Sequence, residues 1–532
     1  MSASRTSLIA LAGLALALPA AAQVGSVDDR PTGFLTVATG GMSADAWQNT
    51  PLATAKRLVS GLSPAPRSRA LRDLQFKVMV SALNPPARDG SAPPGLFARK
   101  VERLAAMGEG ESLNEMVRAA GGYEDPAIAA TVVNAMMMAN EREGACAIVA
   151  AHKLPPPFAK RAEVACLFVA GDNAGALAAV SQPPSSDASL VTLTRVAAGG
   201  LPPSAAPLAP LDGPAMIMLA LAHVTPPAAA LKSDQPPLMR ALVAQKTLPI
   251  ATRLEIAERG EALAVIEATR LSDLYVEAVR AGARLPPAMA KRAQLVAAVR
   301  AAGNTRELMP AIATLYADTQ GSPLFPTVAR ASATGLLSLP PKPEYANVAQ
   351  EAIRGLLLLG DTQLTKIWTK LALSAAFNNA RALYAVDRLM PLIAVAGIDN
   401  PHRLPAEEIN RWYELMRADD ARGAPLRGYL MLEMLRASGV DVPPRTTDLP
   451  EAPPAGTRLV SPPAALLQAM LLAAAGRRRA ETSLLAAGAI AETPLADLHP
   501  AAVGAIVRAL IAAGEGQAGR LFAIETAIAH GL

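Results

Sequence analysis

Aromatic residues are scarce in this chain: eight Phe, seven Tyr and three Trp among 532 residues. A core of that size must therefore be built from Ala, Leu, Val and Met. Histidine is also rare. His152, His223, His402, His499 and His530 stand far apart, and none has a second ligand at the spacing of an H-E-x-x-H motif, so no metal site and no cofactor is expected. The two cysteines form no C-x-x-C motif, which leaves out a thioredoxin-type redox centre. No G-x-S-x-G elbow occurs, so an α/β-hydrolase nucleophile has no support.

Neither charge sign dominates. Fifty Lys and Arg face 45 Asp and Glu, for a formal net charge of +5, and the basic residues are dispersed. The densest run, Arg477-Arg478-Arg479, has no aromatic platform beside it and reads as a solvated helix start, so no nucleic-acid partner is expected. Long apolar runs are missing too. The best uncharged window, Gly213–Leu231, is broken by Pro226-Pro227 and interrupted by His223 and Thr225. That excludes a membrane span there and suggests a buried helix and turn.

What the chain does have is helix-forming apolar residues and proline. Residues of the apolar class make up 51% of it, and Ala and Leu enter helices at little entropic cost. The 46 prolines fall mostly between apolar-periodic runs, often as pairs such as Pro155-Pro156, Pro236-Pro237 and Pro286-Pro287. Proline suits the first helical position and ends the preceding helix. A second punctuation is glycine followed by a polar residue, as in Gly171-Asp172, Gly303-Asn304, Gly360-Asp361, Gly476-Arg477 and Gly514-Glu515. Glycine closes one helix and the polar residue caps the next. The two marks together spell a chain of helical hairpins.

One internal match supports repetition. Residues 154–173 align without gaps to residues 285–304, with Leu-Pro-Pro and Ala-Lys-Arg-Ala in common. Helical stripes appear at Leu364, Ile367, Trp368 and Leu371, at Ile409, Trp412, Tyr413 and Met416, and at Leu71, Leu74 and Val78; each is expected to face the core. The fold class expected is all-α: a degenerate α-solenoid of stacked helical hairpins.

Composition divides the chain further. Residues 1–22 have the pattern of a cleaved signal peptide, with Arg5, an apolar Ser7–Leu18 run, Pro19 and Ala20-Ala21-Ala22. A periplasmic location follows as an expectation. Residues 23–65 read as a loosely ordered N-terminal segment, 66–182 as a hairpin array, and 183–213 as a Pro/Ser-rich linker. A second array over 214–439, a Pro-rich linker over 440–463 and C-terminal helices over 464–532 complete the order.

The remaining motifs divide into candidates and decoys. Cys146 and Cys166 flank the Leu154–Pro157 turn at distances that bring two antiparallel helices to similar heights. An oxidising compartment and an even count favour a structural disulfide, with two buried free thiols as the alternative. Gly514–Gly519 spells G-x-G-x-x-G, but a helix precedes it and no βαβ unit follows, so a helix–glycine–helix corner is expected. Met136-Met137-Met138 point about 100° apart in a helix and cannot converge on one ion; core packing is expected. Glu111-Ser112 matches the Glu-Ser dipeptide of soluble lytic transglycosylases, yet it lies near the beginning of the array without a lysozyme-like domain, and a capped helix start is the better account.

The helix endings in CLFVAGDNAGAL (166–177), LLLLGDTQLTKIW (356–368) and LLAAAGRRRAETSLL (471–485) resemble those of tetratricopeptide-like superhelical proteins, without that family's 34-residue period. The whole chain also resembles a family of exported, Ala/Leu/Pro-rich helical proteins of alphaproteobacteria, a resemblance that implies fold and export and transfers no functional residue. The function expected is a non-enzymatic periplasmic scaffold or adaptor that binds a protein or peptide partner, in a setting such as cell-envelope assembly. The alternatives are an envelope enzyme acting on cell-wall glycan and a carrier of an apolar ligand.

Overall fold

A computed structural model describes residues 28, 30–182, 185–398, 404–442 and 449–532. The expected signal peptide lies outside the described residues, as do His402, Pro183-Pro184 and Pro443-Pro444. Among the described residues there are 27 α-helices and no strand, only isolated bridges such as Thr32 to Leu83. The chain is an all-α, solenoid-like stack of helices.

The punctuation acts as its chemistry dictates. Asp172, Asn304 and Asp361 cap the helices Asn173–Ser181, Thr305–Thr319 and Thr362–Ala375, accepting the N–H of Gly175, Glu307 and Leu364 at 2.7, 3.1 and 2.9 Å. Gly171 and Gly360 just before two of these caps take the left-handed backbone that closes the previous helix. Pro126, Pro236, Pro287 and Pro500 each occupy a first helical position.

The sequence match at 154–173 and 285–304 is also a match in packing. The shared prolines precede or open the helices Phe158–Val169 and Pro287–Ala301, and the shared Ala162 and Ala293 are fully buried. The neighbouring arginines do the same job in both. Arg161 reaches Asp212 at 3.2 Å, and Arg292 reaches Glu258 at 2.9 Å, each tying its helix to an acid elsewhere in the stack. Tyr275 donates to the same Glu258 at 2.5 Å, so the second copy is the more deeply buried.

Stacking alone would leave two free ends, but these ends meet. From Arg69–Val80 the packing runs through Leu96–Ala106, Pro126–Met138, Pro236–Ala244 and Ile250–Ala262 to Phe325–Ala331 and Ala349–Leu359. Ala349–Leu359 packs on the final helix, Gly516–Ala529, and that helix packs back on Arg69–Val80. The helix Arg479–Ile490 adds a second seam against Leu52–Gly61 and Arg69–Val80. Polar bonds pin this closure: Ala480 N–H donates to the Ala46 carbonyl at 3.0 Å, and Thr50 donates to Glu481 at 2.9 Å.

Several boundaries differ from the compositional expectation. The stretch 183–213 contains the helix Ala188–Ala197, whose Leu190, Leu193 and Val196 are buried against the array. Pro and Ser around it cap and separate; they do not make a linker of it. The stretch 23–65 contains the helix Leu52–Gly61 and buries Met42, Ala46 and Trp47. Of the helical stripes, Ile409, Trp412, Tyr413 and Met416 are all buried, whereas Ile367 faces solvent beside a buried Trp368. The three consecutive methionines are core residues. No helix is long and apolar enough to cross a membrane.

Candidate partner-binding groove

Exposed apolar side chains concentrate on one helical hairpin. Thr362–Ala375 carries Ile367 and Leu373, the turn carries Phe377, and Ala380–Val395 carries Leu383 and Tyr384. Phe377 is 90% exposed in a chain that owns only eight phenylalanines. Hydrophobic burial drives the fold, so a large ring held in water calls for an account outside it.

Beside this hairpin runs a groove of about 820 Å³, lined from the helices Pro287–Ala301, Thr305–Thr319, Ala349–Leu359 and Ala380–Val395 and by the 3-10 turn Pro343–Val348. Tyr384 forms part of its wall. The Tyr384 hydroxyl donates to Asp419 at 3.3 Å and accepts from Arg388 at 2.9 Å, and the Arg388 guanidinium also lies 5.7 Å from the ring centre. The ring is thus held in place with 37% of it open. Asn379, two residues after Phe377, donates to Asn347 in the groove wall at 2.9 Å, which fixes the turn at the rim.

The polar lining is balanced. Lys291 pairs with Asp318, and Arg381 stands opposite Glu351 in sign. Burial lifts the Glu351 carboxyl above its ordinary range against the pull of Arg381 and Arg354. Its Oε2 is buried and has no hydrogen-bond partner. One turn on, Arg354 lies 4.6 Å over the Phe325 ring, and burial, together with Arg388, pushes its pKa down to about 10. The groove therefore offers a flat aromatic wall, an unclaimed acceptor and no net charge. That combination suits an extended peptide better than a nucleic acid or an acidic polymer.

The residues singled out from sequence fall elsewhere. Cys146 and Cys166 are joined, with S–S 2.08 Å and Cα–Cα 5.5 Å, across the helices Arg142–Ala151 and Phe158–Val169. Gly514 to Gly519 turn the helix Pro500–Ala512 into Gly516–Ala529. Arg478 pairs with Glu481, and Arg479 with Glu515 at 2.5 Å, so two of the three consecutive arginines are engaged in the closure seam. Among the described residues no group of three or more His, Cys, Asp and Glu is placed to hold a metal ion. Glu111 is exposed in the first turn of Gly110–Ala120. Its neighbour Glu141 has its pKa lifted to about 6, mainly by burial and then by the charge of Glu111, yet neither lines any of the main cavities.

Sequence reasoning passed over Phe377, Leu383 and Tyr384. A signal was present: in AFNNARALYAVDR, Phe377 sits in a turn between two polar-capped helices, where no apolar stripe continues to cover it. No family model matches the chain, and no curated protein or solved structure matches it.

Proposed function

We propose that this protein is a non-enzymatic helical-repeat scaffold of the periplasm that holds an extended segment of a cell-envelope protein in the groove beside Tyr384. The observation that carries the reading is the pairing of a pinned, half-open Tyr384 ring with the orphan Oε2 of Glu351 in one groove. A peptide supplies what both lack. An apolar side chain covers the ring, and a backbone or side-chain N–H satisfies the carboxylate, whose unmet desolvation costs on the order of 1–3 kcal/mol. Phe377 at the rim adds a large anchor of the type that dominates interface energetics. The near-neutral lining favours a segment of mixed or low charge.

The test is in-cell photocrosslinking of the full-length protein with a photoreactive residue at position 377 or 384, against a control at exposed Leu472. One envelope protein recovered reproducibly from the first two positions and lost on Glu351→Lys supports the reading. Identical products from position 472, or none from the groove, would sink it.

A further inference from the structure

The closure of the stack creates a second cavity, unrelated to the groove. It measures about 410 Å³ and lies where three distant parts of the chain meet: Arg67 and Arg69 from the beginning, residues 321–330 from the middle, and residues 494–496 and 525–531 from the end. Its apolar wall comes from side chains such as Pro326, Leu495 and Ile528. Its charged wall is three guanidiniums, those of Arg67, Arg69 and Arg330, and one carboxylate, Glu525.

The acids that balance these arginines stand behind the wall. Glu261, fully buried, accepts from Arg69 Nη1 at 3.1 Å, from Arg330 Nε at 2.6 Å and from Arg330 Nη2 at 3.0 Å. Asp234 lies 3.4 Å from Arg67. Neither acid is part of the cavity lining. Glu525 does line it, but both its oxygens are committed to the start of the helix Arg69–Val80: the Ser68 hydroxyl donates at 2.6 Å and the Ala70 N–H at 3.1 Å. The face turned to the cavity is therefore cationic.

Arg330 is the best-placed of the three. Its side chain is only 9% exposed, and the two bonds to Glu261 fix its plane, which leaves Nη1 as the edge not committed to that acid. One turn before it, Thr327 is 1% exposed, lines the same cavity, and its hydroxyl has no hydrogen-bond partner. A buried donor without a partner next to a fixed guanidinium is the arrangement that recognises an anionic oxygen. The volume is that of a small-molecule site, with an apolar enclosure and a few converging polar groups.

We propose that this cavity binds a small organic carboxylate, its charged end against Arg330 and Thr327 and its apolar body along Pro326, Leu495 and Ile528. Because the walls come from the beginning, middle and end of the chain, such a ligand fastens the closure and raises the thermal stability of the whole protein.

The test uses the full chain and three probes in calorimetric titration and thermal melting. The probes are 3-phenylpropanoate, the uncharged 3-phenylpropan-1-ol with the same body, and inorganic phosphate with charge alone. The expected result is saturable binding of the acid with Kd below about 1 mM, at least roughly tenfold weaker binding of the alcohol, and a rise in melting temperature with the acid only. Equal binding of acid and alcohol, tighter binding of phosphate, or no saturation by any probe would overturn the proposal. Arg330→Met strands Glu261 and risks misfolding, so two milder variants carry the assignment. Thr327→Val should weaken the acid roughly tenfold with the melting temperature of the free protein nearly unchanged. Ala529→Phe, which projects a ring from an exposed position of the wall, should abolish binding. Undiminished affinity in both variants would place the site elsewhere and refute the assignment.

Discussion

Ser68 and Glu525 are 457 positions apart in sequence, yet the Ser68 hydroxyl donates to Glu525 at 2.6 Å. Ser68 is the N-cap of the helix Arg69–Val80, and its oxygen also accepts the Leu71 N–H at 3.2 Å. Glu525 takes the Ala70 N–H, so a residue from the last helix helps cap one of the first. The two ends of a stack that sequence would leave open are thereby joined at a helix terminus, where a negative charge is favoured.

Burial of Glu525 costs more than that terminus returns, and its pKa rises to about 6. The sign follows from linkage. Below about pH 4.5 the carboxyl is protonated in both folded and unfolded chains; above about 6 it is ionised in both, and the folded state then carries the full penalty. Stability from this group therefore falls by about 2 kcal/mol as pH rises through that window. Glu525→Gln should remove this slope and raise the urea midpoint at pH 7.5, because Ser68 can reverse its hydroxyl to accept from the amide. Urea melts of both proteins at pH 4.5, 5.5 and 7.5 check it. Parallel curves at all three values would show that Glu525 does not titrate there.

The repeated Lys-Arg pair yields a comparison between two copies of one unit. Arg292 holds Glu258 with three hydrogen bonds, and that acid is 8% exposed with Tyr275 also upon it. Arg161 meets a more open Asp212. Arg292→Met should cost about 3 kcal/mol, since it leaves a buried carboxylate without its cation, while Arg161→Met should cost about 1 kcal/mol. Thermal midpoints of the two variants measure the difference. Equal losses would mean that the two copies are not energetically distinct.

The bridge between Cys146 and Cys166 closes a loop of 20 positions. Loop-closure entropy puts its contribution at about 3 kcal/mol. The double variant Cys146→Ser/Cys166→Ser should melt earlier, and reductant should affect the parent protein but not the variant. A variant as stable as the parent would show that the local helix pair needs no staple.

Much of this architecture is legible in the residues themselves. Asp172, Asn304 and Asp361 announce their helices because a cap is a local device, settled by three or four neighbouring residues. The helix Ala188–Ala197 was hidden for the complementary reason: Pro and Ser dominate its surroundings, and its own apolar residues alternate over too few turns to fix a period. Ile367 shows a further limit, since periodicity says that a face is apolar but not whether another helix exists to cover it. The closure and both cavities depend on contacts such as Arg69 to Glu261 and Ser68 to Glu525, which no local pattern encodes.

Lys100 offers the sharpest test of burial. It is fully enclosed in the helix Leu96–Ala106, and its ammonium reaches the Thr32 carbonyl at 3.3 Å and the Thr32 hydroxyl at 3.4 Å. Burial pushes its pKa down to about 8, against a counter-pull from Asp28. Below pH 8 the amine is charged in both states, and the folded chain bears the whole desolvation cost. Between about 8 and 10.5 only the unfolded chain keeps the proton, so stability climbs as pH rises; beyond that range the term vanishes. Lys100→Met keeps the length of the stem and drops the charge, at the expense of the two contacts to Thr32. It should stabilise the protein by about 2 kcal/mol at pH 7, and this advantage should shrink steadily toward pH 10. Urea midpoints of both proteins at pH 7, 8.5 and 10 decide the matter. A destabilised variant at pH 7 would mean that Asp28 and Thr32 together outweigh the cost of enclosing the charge.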